Sequence, residues 1–423
     1  LRIETASRFR GRFTLPGDKS ISHRAALLGA MAAGETLVRN YSSAADCAST
    51  LACLRALGVA IDREGTAVRL RGGLDTWRSP SHPLDCENSG STIRMLAGAL
   101  AGRAFRSVLT GDESLRRRPV ERVALPLRAM GARVETSDGR PPLAIEGARL
   151  RPVAWDLPVA SAQIKTAVLL AGLQAEGRTS VREPAASRDH TERMLPAFGV
   201  AVERDGLSAA VDGPARLRGA TLDVPGDASS AAFLVVAALV LPDSEVRLDG
   251  VLLSPTRTAF LDVLREMGGR VEARLESTSP EPVGSILASS SSLRGTRIDP
   301  ALVPSLIDEV PALAVAAAFA SGRFEVSGAA ELRVKESDRL HALACGLGAL
   351  GARVEEREDG LVVEGGAPLT GTVVPSFGDH RIAMALSVAA LGARGATEVE
   401  GAGCVAVSFP SFYDVLAAAT GRA

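Results

Sequence analysis

Lysine is nearly missing from this chain: of 48 lysines and arginines only Lys19, Lys165 and Lys335 are lysine. Arginine serves a solvated surface at least as well, so a composition this biased leaves lysine mainly where a compact, titratable ammonium is wanted. Asparagine and glutamine are just as scarce, and Asn88 and Gln163 fall in the polar clusters ENSGSTIR and SAQIKTA. Excess charge of either sign is also lacking. A net charge of -1 and a pI near 6.6 exclude a generic nucleic-acid binder. No uninterrupted apolar run reaches the roughly 20 residues a membrane-spanning helix needs, and the first residues lack the apolar stretch of a secretory signal. The five cysteines are odd in number and have no CxxC spacing, which fits a reducing cytoplasm and small buried hydrophobes better than disulfides or structural zinc.

What the chain does have is repetition. LRALGVAIDREGTAVRLRGG at 54–73 returns at 127–148, 195–213, 264–273 and 347–366. Each copy reads as a helix end, a glycine C-cap and a short β-hairpin. An apolar helix lies upstream of each, and six such helices are present counting SISHRAALLGAMAAGE and HRIAMALSVAALGARG; the sixth unit has no hairpin after it. LPGDKSIS at 15–22 echoes as VPGDASSA at 224–231, three units later. The pattern predicts two halves of three units, with both PGD segments as chain crossings. Units of roughly 70 residues mixing helix and strand favour closed globules over a binding solenoid.

The polar clusters sit at predicted helix starts. PGDKSISHR places Lys19, Ser20 and Arg24 at a loop-to-helix junction with Ser20 or Ser22 as cap, an anion site but not a Walker A loop. In DCENSGSTIR small residues admit a ligand to the backbone and Arg94 follows one turn on. LRRRPVER puts Pro119 at a helix N1 position with Arg118 before it, and Arg116 and Arg117 as a solvated run. SRDHTER offers Arg188, Asp189 and His190. In LRVKESDRL, Lys335 and Arg339 at i,i+4 are expected on one helical face beside Glu336, and GDHRIAM supplies His380 and Arg381. Repeated cationic helix starts describe a site for several phosphates or carboxylates.

In this order, PGDKSISHR, NSG followed by R, LTGDxxLxxRP, SAQ, RVKESDR and GDHRIAM resemble the 3-phosphoshikimate 1-carboxyvinyltransferase (EPSP synthase) family over essentially the whole chain. The resemblance implies an α/β enolpyruvyl transferase fold of two similar domains, each three βαβαββ repeats forming an inside-out α/β barrel. The domains would be 1–15 with 226–423, and 16–225, with crossings near Pro16 and Pro225 and the active site in the interdomain cleft. The implied reaction moves the enolpyruvyl group of phosphoenolpyruvate to the 5-hydroxyl of shikimate 3-phosphate. Carbon–oxygen cleavage does not require the magnesium clamp of phosphoryl transfer, so no cofactor or metal is expected.

By the same resemblance Asp308 acts as base, with Glu336 and Lys19 handling protons at the enolpyruvyl group. Lys19, Ser20, Arg24, Ser161, Ala162, Gln163, Arg188, Asp308 and Lys335 would hold shikimate 3-phosphate. Lys19, Asn88, Gly90, Arg118, Gln163, Arg339 and Arg381 would hold phosphoenolpyruvate. Glyphosate is the implied competitive inhibitor, and a cytoplasmic monomer without nucleic-acid or membrane partner is expected. Ala162 stands where many members carry a second serine, Glu331 where some carry asparagine, and Val407 where some carry lysine. Lys165 matches a lysine of one family branch without an assigned substrate contact, and a structural or supporting role is expected of it. Two alternatives are UDP-N-acetylglucosamine enolpyruvyl transferase, whose mobile-loop cysteine GDESLRRR lacks, and a silent repeat protein binding phosphorylated sugars, which would not need Asp308 and Glu336.

Overall fold

The computed structural model describes residues 1–421 and divides into two compact units. One contains Leu1–Pro16, Pro225–Thr278 and Pro282–Ala423; the other contains Gly17–Val224 with the short stretch Ser279–Glu281. Each is a set of βαβαββ repeats. In the repeat around the NSG motif, strand Leu84–Asp85 runs parallel to Arg106–Thr110, which pairs antiparallel with Arg140–Glu146 of the following hairpin. The parallel step requires a crossover, and the buried helix Gly90–Leu100 supplies it. The predicted hairpins are present, and Gly58, Gly131, Gly199, Gly268 and Gly351 before them all have positive φ, which ends each preceding helix without a Cβ clash.

The apolar helices are the cores. Ala228–Val240, Val310–Phe319 and His380–Gly392 are buried on nearly every face and pack on one another in the first unit. Lys19–Met31, Gly90–Leu100 and Ala162–Gly172 serve the second. Gly98 lets the last two helices approach so closely that a Cβ there would lie 2.0 Å from the carbonyl oxygen of Ala167. Burial all round explains why, beyond their polar first turns, these helices are apolar on nearly every side instead of striped. Among the described residues no single helix is long and apolar enough to cross a membrane.

Distant segments complete the sheets. Arg10–Thr14 lies parallel to Glu245–Leu252, and Thr221–Asp223 lies parallel to Gly34–Arg39. Where the sixth repeat has no hairpin, Arg2–Ile3 pairs antiparallel with Thr397–Glu398 on the free side of strand Thr397–Glu400. The cysteines are all free, but only Cys47, Cys53 and Cys86 are the buried hydrophobes expected; Cys345 is exposed and Cys404 is half-buried.

Candidate active site

In the second unit, the helix Lys19–Met31 is capped by Asp18, whose Oδ1 accepts the Ile21 N–H at 2.8 Å, and not by Ser20 or Ser22 as expected. Asp18, two residues before Ser20, reaches the orphan donors, which leaves the half-buried Ser20 hydroxyl for another partner. Lys19 Nζ lies 2.7 Å from Asp46 Oδ2, so the ammonium is partnered yet half-buried. The Ser20 hydroxyl accepts from Arg188 Nη1 at 3.0 Å. Arg24 is 3% exposed. Its Nε donates to Thr191 and Thr166, Nη1 to the Ser20 carbonyl and Nη2 to the Ala162 carbonyl, leaving one N–H on each terminal nitrogen outside these bonds. Burial pushes this guanidinium down to about 10 against the opposing pull of Glu192.

Four further expected residues, Asn88, Gly90, Arg118 and Gln163, lie in the same unit around Arg94. Ser89 caps Gly90–Leu100. Arg118 donates to Asn88 through Nη2 at 2.6 Å and Nη1 at 3.2 Å, while Arg94 holds Gln163 Oε1 at 2.9 Å. A Cβ at Gly90 would meet Arg94 Nη1 at 2.8 Å and Arg118 Nη1 at 3.5 Å. Arg94 was outside the expected set, although its place one turn into the NSG helix was the available signal. Arg116 and Arg117 are exposed, as expected of a solvated run. Pro119 is not at N1: Arg118 closes the short helix Glu113–Arg117 and Val120 caps Glu121–Ala129, so the proline precedes that cap.

In the first unit the groups converge on Asp308. Arg339 Nη1 reaches Asp308 Oδ1 at 3.1 Å, Lys335 Nζ lies at 3.6 Å from the same oxygen, and Arg381 Nη2 lies 3.7 Å from Oδ2. Arg339 also bonds Glu336 at 2.6 Å and Asp379 at 2.8 Å. Its burial would lower its pKa, but Asp379, Glu336 and Asp308 outweigh that and raise it. Lys335 and Arg339 do not share a helical face. A 3-10 turn ends at Val334, and Asp338 caps a new helix, Arg339–Ala349, by accepting the His341 N–H. The extended Lys335 reaches Asp308 because of that break. Asp379, which caps His380–Gly392 and holds Arg339, was missed because a capping aspartate looks ordinary in sequence.

Two cation-rich, carboxylate-poised helix clusters, one per unit, suit polyanionic substrates and proton transfer. The family model for EPSP synthase (3-phosphoshikimate 1-carboxyvinyltransferase) matches residues 3–416. Proteins named 3-phosphoshikimate 1-carboxyvinyltransferase from Desulforamulus reducens and Salinibacter ruber are 48% and 52% identical, each comparison covering 98% of both chains. A solved EPSP synthase from Acinetobacter baumannii has a TM-score of 0.88 at 42% identity, covering 99% of this chain and 98% of that one. The enolpyruvyl transferase NikO from Streptomyces tendae, at 20% identity and a TM-score of 0.80, shares the fold. The repeats, the motifs and these relatives together place the chain in the EPSP synthase (3-phosphoshikimate 1-carboxyvinyltransferase) family.

Proposed function

We propose that this enzyme transfers the enolpyruvyl group of phosphoenolpyruvate to the 5-hydroxyl of shikimate 3-phosphate, giving 5-enolpyruvylshikimate 3-phosphate and phosphate. The observation that carries the assignment of roles is Asp308, a carboxylate held among Lys335, Arg339 and Arg381 with Glu336 on the same guanidinium. Such a group can take the hydroxyl proton while the neighbouring cations hold substrate phosphate and carboxylate. Glu336 and Lys19 deliver a proton to the methylene carbon of phosphoenolpyruvate. C2 becomes cationic, the 5-oxygen attacks it, and the methyl carbon later returns a proton as the bond from C2 to the phosphate oxygen breaks.

Shikimate 3-phosphate rests on Lys19, Ser20, Arg24, Ser161, Ala162, Gln163, Arg188, Asp308 and Lys335. Phosphoenolpyruvate rests on Lys19, Asn88, Gly90, Arg118, Gln163, Arg339 and Arg381. Each substrate carries a phosphate of about −1.5 to −2 plus a carboxylate, in proportion to this many cations. Both sets of groups serve one reaction, glyphosate competes with phosphoenolpyruvate, and the enzyme works as a monomer in the cytoplasm.

The test is phosphate release from phosphoenolpyruvate with shikimate 3-phosphate or with UDP-N-acetylglucosamine as acceptor. Release with the first alone is expected. Release only with the UDP-sugar, or with neither, would sink the proposal.

A further inference from the structure

Lys165 is the one lysine that the proposed chemistry does not use, and it is among the most deeply placed charges in the second unit. Its side chain is 5% exposed, with Nζ 2.6 Å from Glu183 Oε2 and 2.7 Å from Glu192 Oε1, and both glutamates are as deeply buried. Burying three charges costs several kcal/mol per ion, and apolar side chains of similar volume stabilise a core at least as well. The cluster therefore calls for a reason other than stability, and its outward hydrogen bonds supply one.

Each member leads to a group in the shikimate 3-phosphate set. Glu183 Oε1 accepts the backbone N–H of Ser161 at 3.2 Å and the hydroxyl of Ser187, next to Arg188, at 2.5 Å. Glu192 follows Thr191, whose Oγ1 accepts from Arg24 Nε at 2.9 Å and lies 2.7 Å from the hydroxyl of Thr166, the residue after Lys165. Arg24 and Arg188 in turn hold the carbonyl and hydroxyl of Ser20. We propose that Lys165, clamped between Glu183 and Glu192, is a positioning residue that sets Ser161, Arg188 and Arg24 for shikimate 3-phosphate. This rests on the assignment of those three residues to that substrate.

Lys165 faces Glu183 and Glu192, and Glu192 also acts on Arg24. Burial would lower the Lys165 pKa, but Glu192 and Glu183 outweigh it and raise it, so the ammonium stays charged. Without that ammonium two buried carboxylates are left facing each other. Glu183 then moves off the Ser161 N–H, and Glu192 pulls on Arg24. The bonds of Arg118 to Asn88 lie outside this network. Arginine cannot stand in, because its longer planar fork does not fit a space built for a compact ammonium.

Steady-state kinetics on the full-length enzyme test this. Lys165→Met is expected to raise KM for shikimate 3-phosphate by about tenfold, as for a buried polar network left with an unsatisfied member, while kcat and KM for phosphoenolpyruvate move by less than about threefold. Glu183→Gln keeps the size but offers one acceptor oxygen, which cannot serve both Lys165 and the Ser161 N–H, and gives a smaller rise of the same kind. It also stands as the test if Lys165→Met does not fold. The double variant, which removes one charge of each sign, recovers part of the loss, whereas loss of packing alone gives no recovery. Arg188→Met separates the two levels of inference. If it leaves KM for shikimate 3-phosphate unchanged, the substrate assignment fails and the positioning role goes with it. If it raises that KM while folded Lys165→Met and Glu183→Gln leave it unchanged, or shift both KM values equally, the positioning role is overturned.

Discussion

The two PGD helix starts share a backbone and differ in what fills them. In the second unit, Asp18 caps the helix, Lys19 follows, and the half-buried Ser20 has Arg188 on its hydroxyl. In the first, Asp227 caps the helix by accepting from Ser229 and Ser230, but Ala228 replaces the lysine and every residue of the first turn is buried. There the Ser229 hydroxyl donates to Glu309, and the fully buried Arg257 donates to Ser229 at 2.8 Å and sits 3.5 Å from Asp227. At one start the half-buried Lys19 and Ser20 are the groups proposed to meet substrate; the other is closed by the chain's own carboxylate and guanidinium. Duplication supplies the anion-seeking helix end twice, and the side chains around it decide whether it binds or braces. Because Glu309 is the neighbour of Asp308, the closed start also braces the loop that carries the proposed base.

The largest expected effect tests the open start. Lys19→Arg keeps the charge but loses the compact ammonium, so kcat falls by about 10²–10⁴-fold, and Lys335→Arg behaves similarly. Turnover measured on purified variants checks this, and parent-like rates would erase the distinction drawn between the two starts. Next, Arg257→Met strips the counter-charge from the closed start and destabilises the protein by about 3–5 kcal/mol. Urea unfolding should show that loss, and Arg188→Met at the open start should show less than about 1 kcal/mol. Equal losses would mean both starts are structural.

Gly90→Ala probes the start of the helix Gly90–Leu100. The added methyl pushes on Arg94 and Arg118, and the longer inhibitor suffers more than the substrate, by about 1–3 kcal/mol. The inhibition constant for glyphosate should rise more than KM for phosphoenolpyruvate, and an unchanged ratio refutes the placement. The smallest effect concerns acid. His23, buried with Nδ1 2.7 Å from the Thr50 hydroxyl, has its pKa lowered well below 6.5, first by burial and then by Lys19 and Arg24. The unfolded chain binds this proton below pH 6.5 and the folded chain does not, so stability falls by about 1.4 kcal/mol per pH unit until the folded pKa is reached. The matching residue in the closed start is Ala232, so no imidazole stands at that position there. His23→Gln should flatten the slope of unfolding free energy against pH; an unchanged slope assigns the acid sensitivity elsewhere.

Much of this was legible in the sequence, and for local reasons. Positive-φ glycines, hairpins and six apolar helices follow from short-range sterics and periodicity, which repetition makes visible five or six times over. Lys19 and Lys335 stood out as rare residues inside motifs, Arg118 and Arg381 through their helix-start motifs, and Asp308 only through the family resemblance. Less legible were the partners. Asp18 in place of Ser20 as cap, the helix break before Arg339, and the placement of Pro119 ahead of a cap instead of inside it turn on one or two residues, a margin at which several local choices are nearly equal in energy.

Composition and pattern alone determined the repeat, the helix starts and the scarcity of lysine, because each is encoded within a few residues of chain. Only the tertiary structure decided which carboxylate meets which cation. Asp46 meets Lys19, Glu183 and Glu192 close on Lys165, and Asp308 gathers groups spread over more than 70 residues of chain. Strands brought in from afar, as Thr221–Asp223 beside Gly34–Arg39 and Arg10–Thr14 beside Glu245–Leu252, are likewise decided only by the tertiary structure. A charge in sequence has no partner until packing excludes the water that would otherwise serve it.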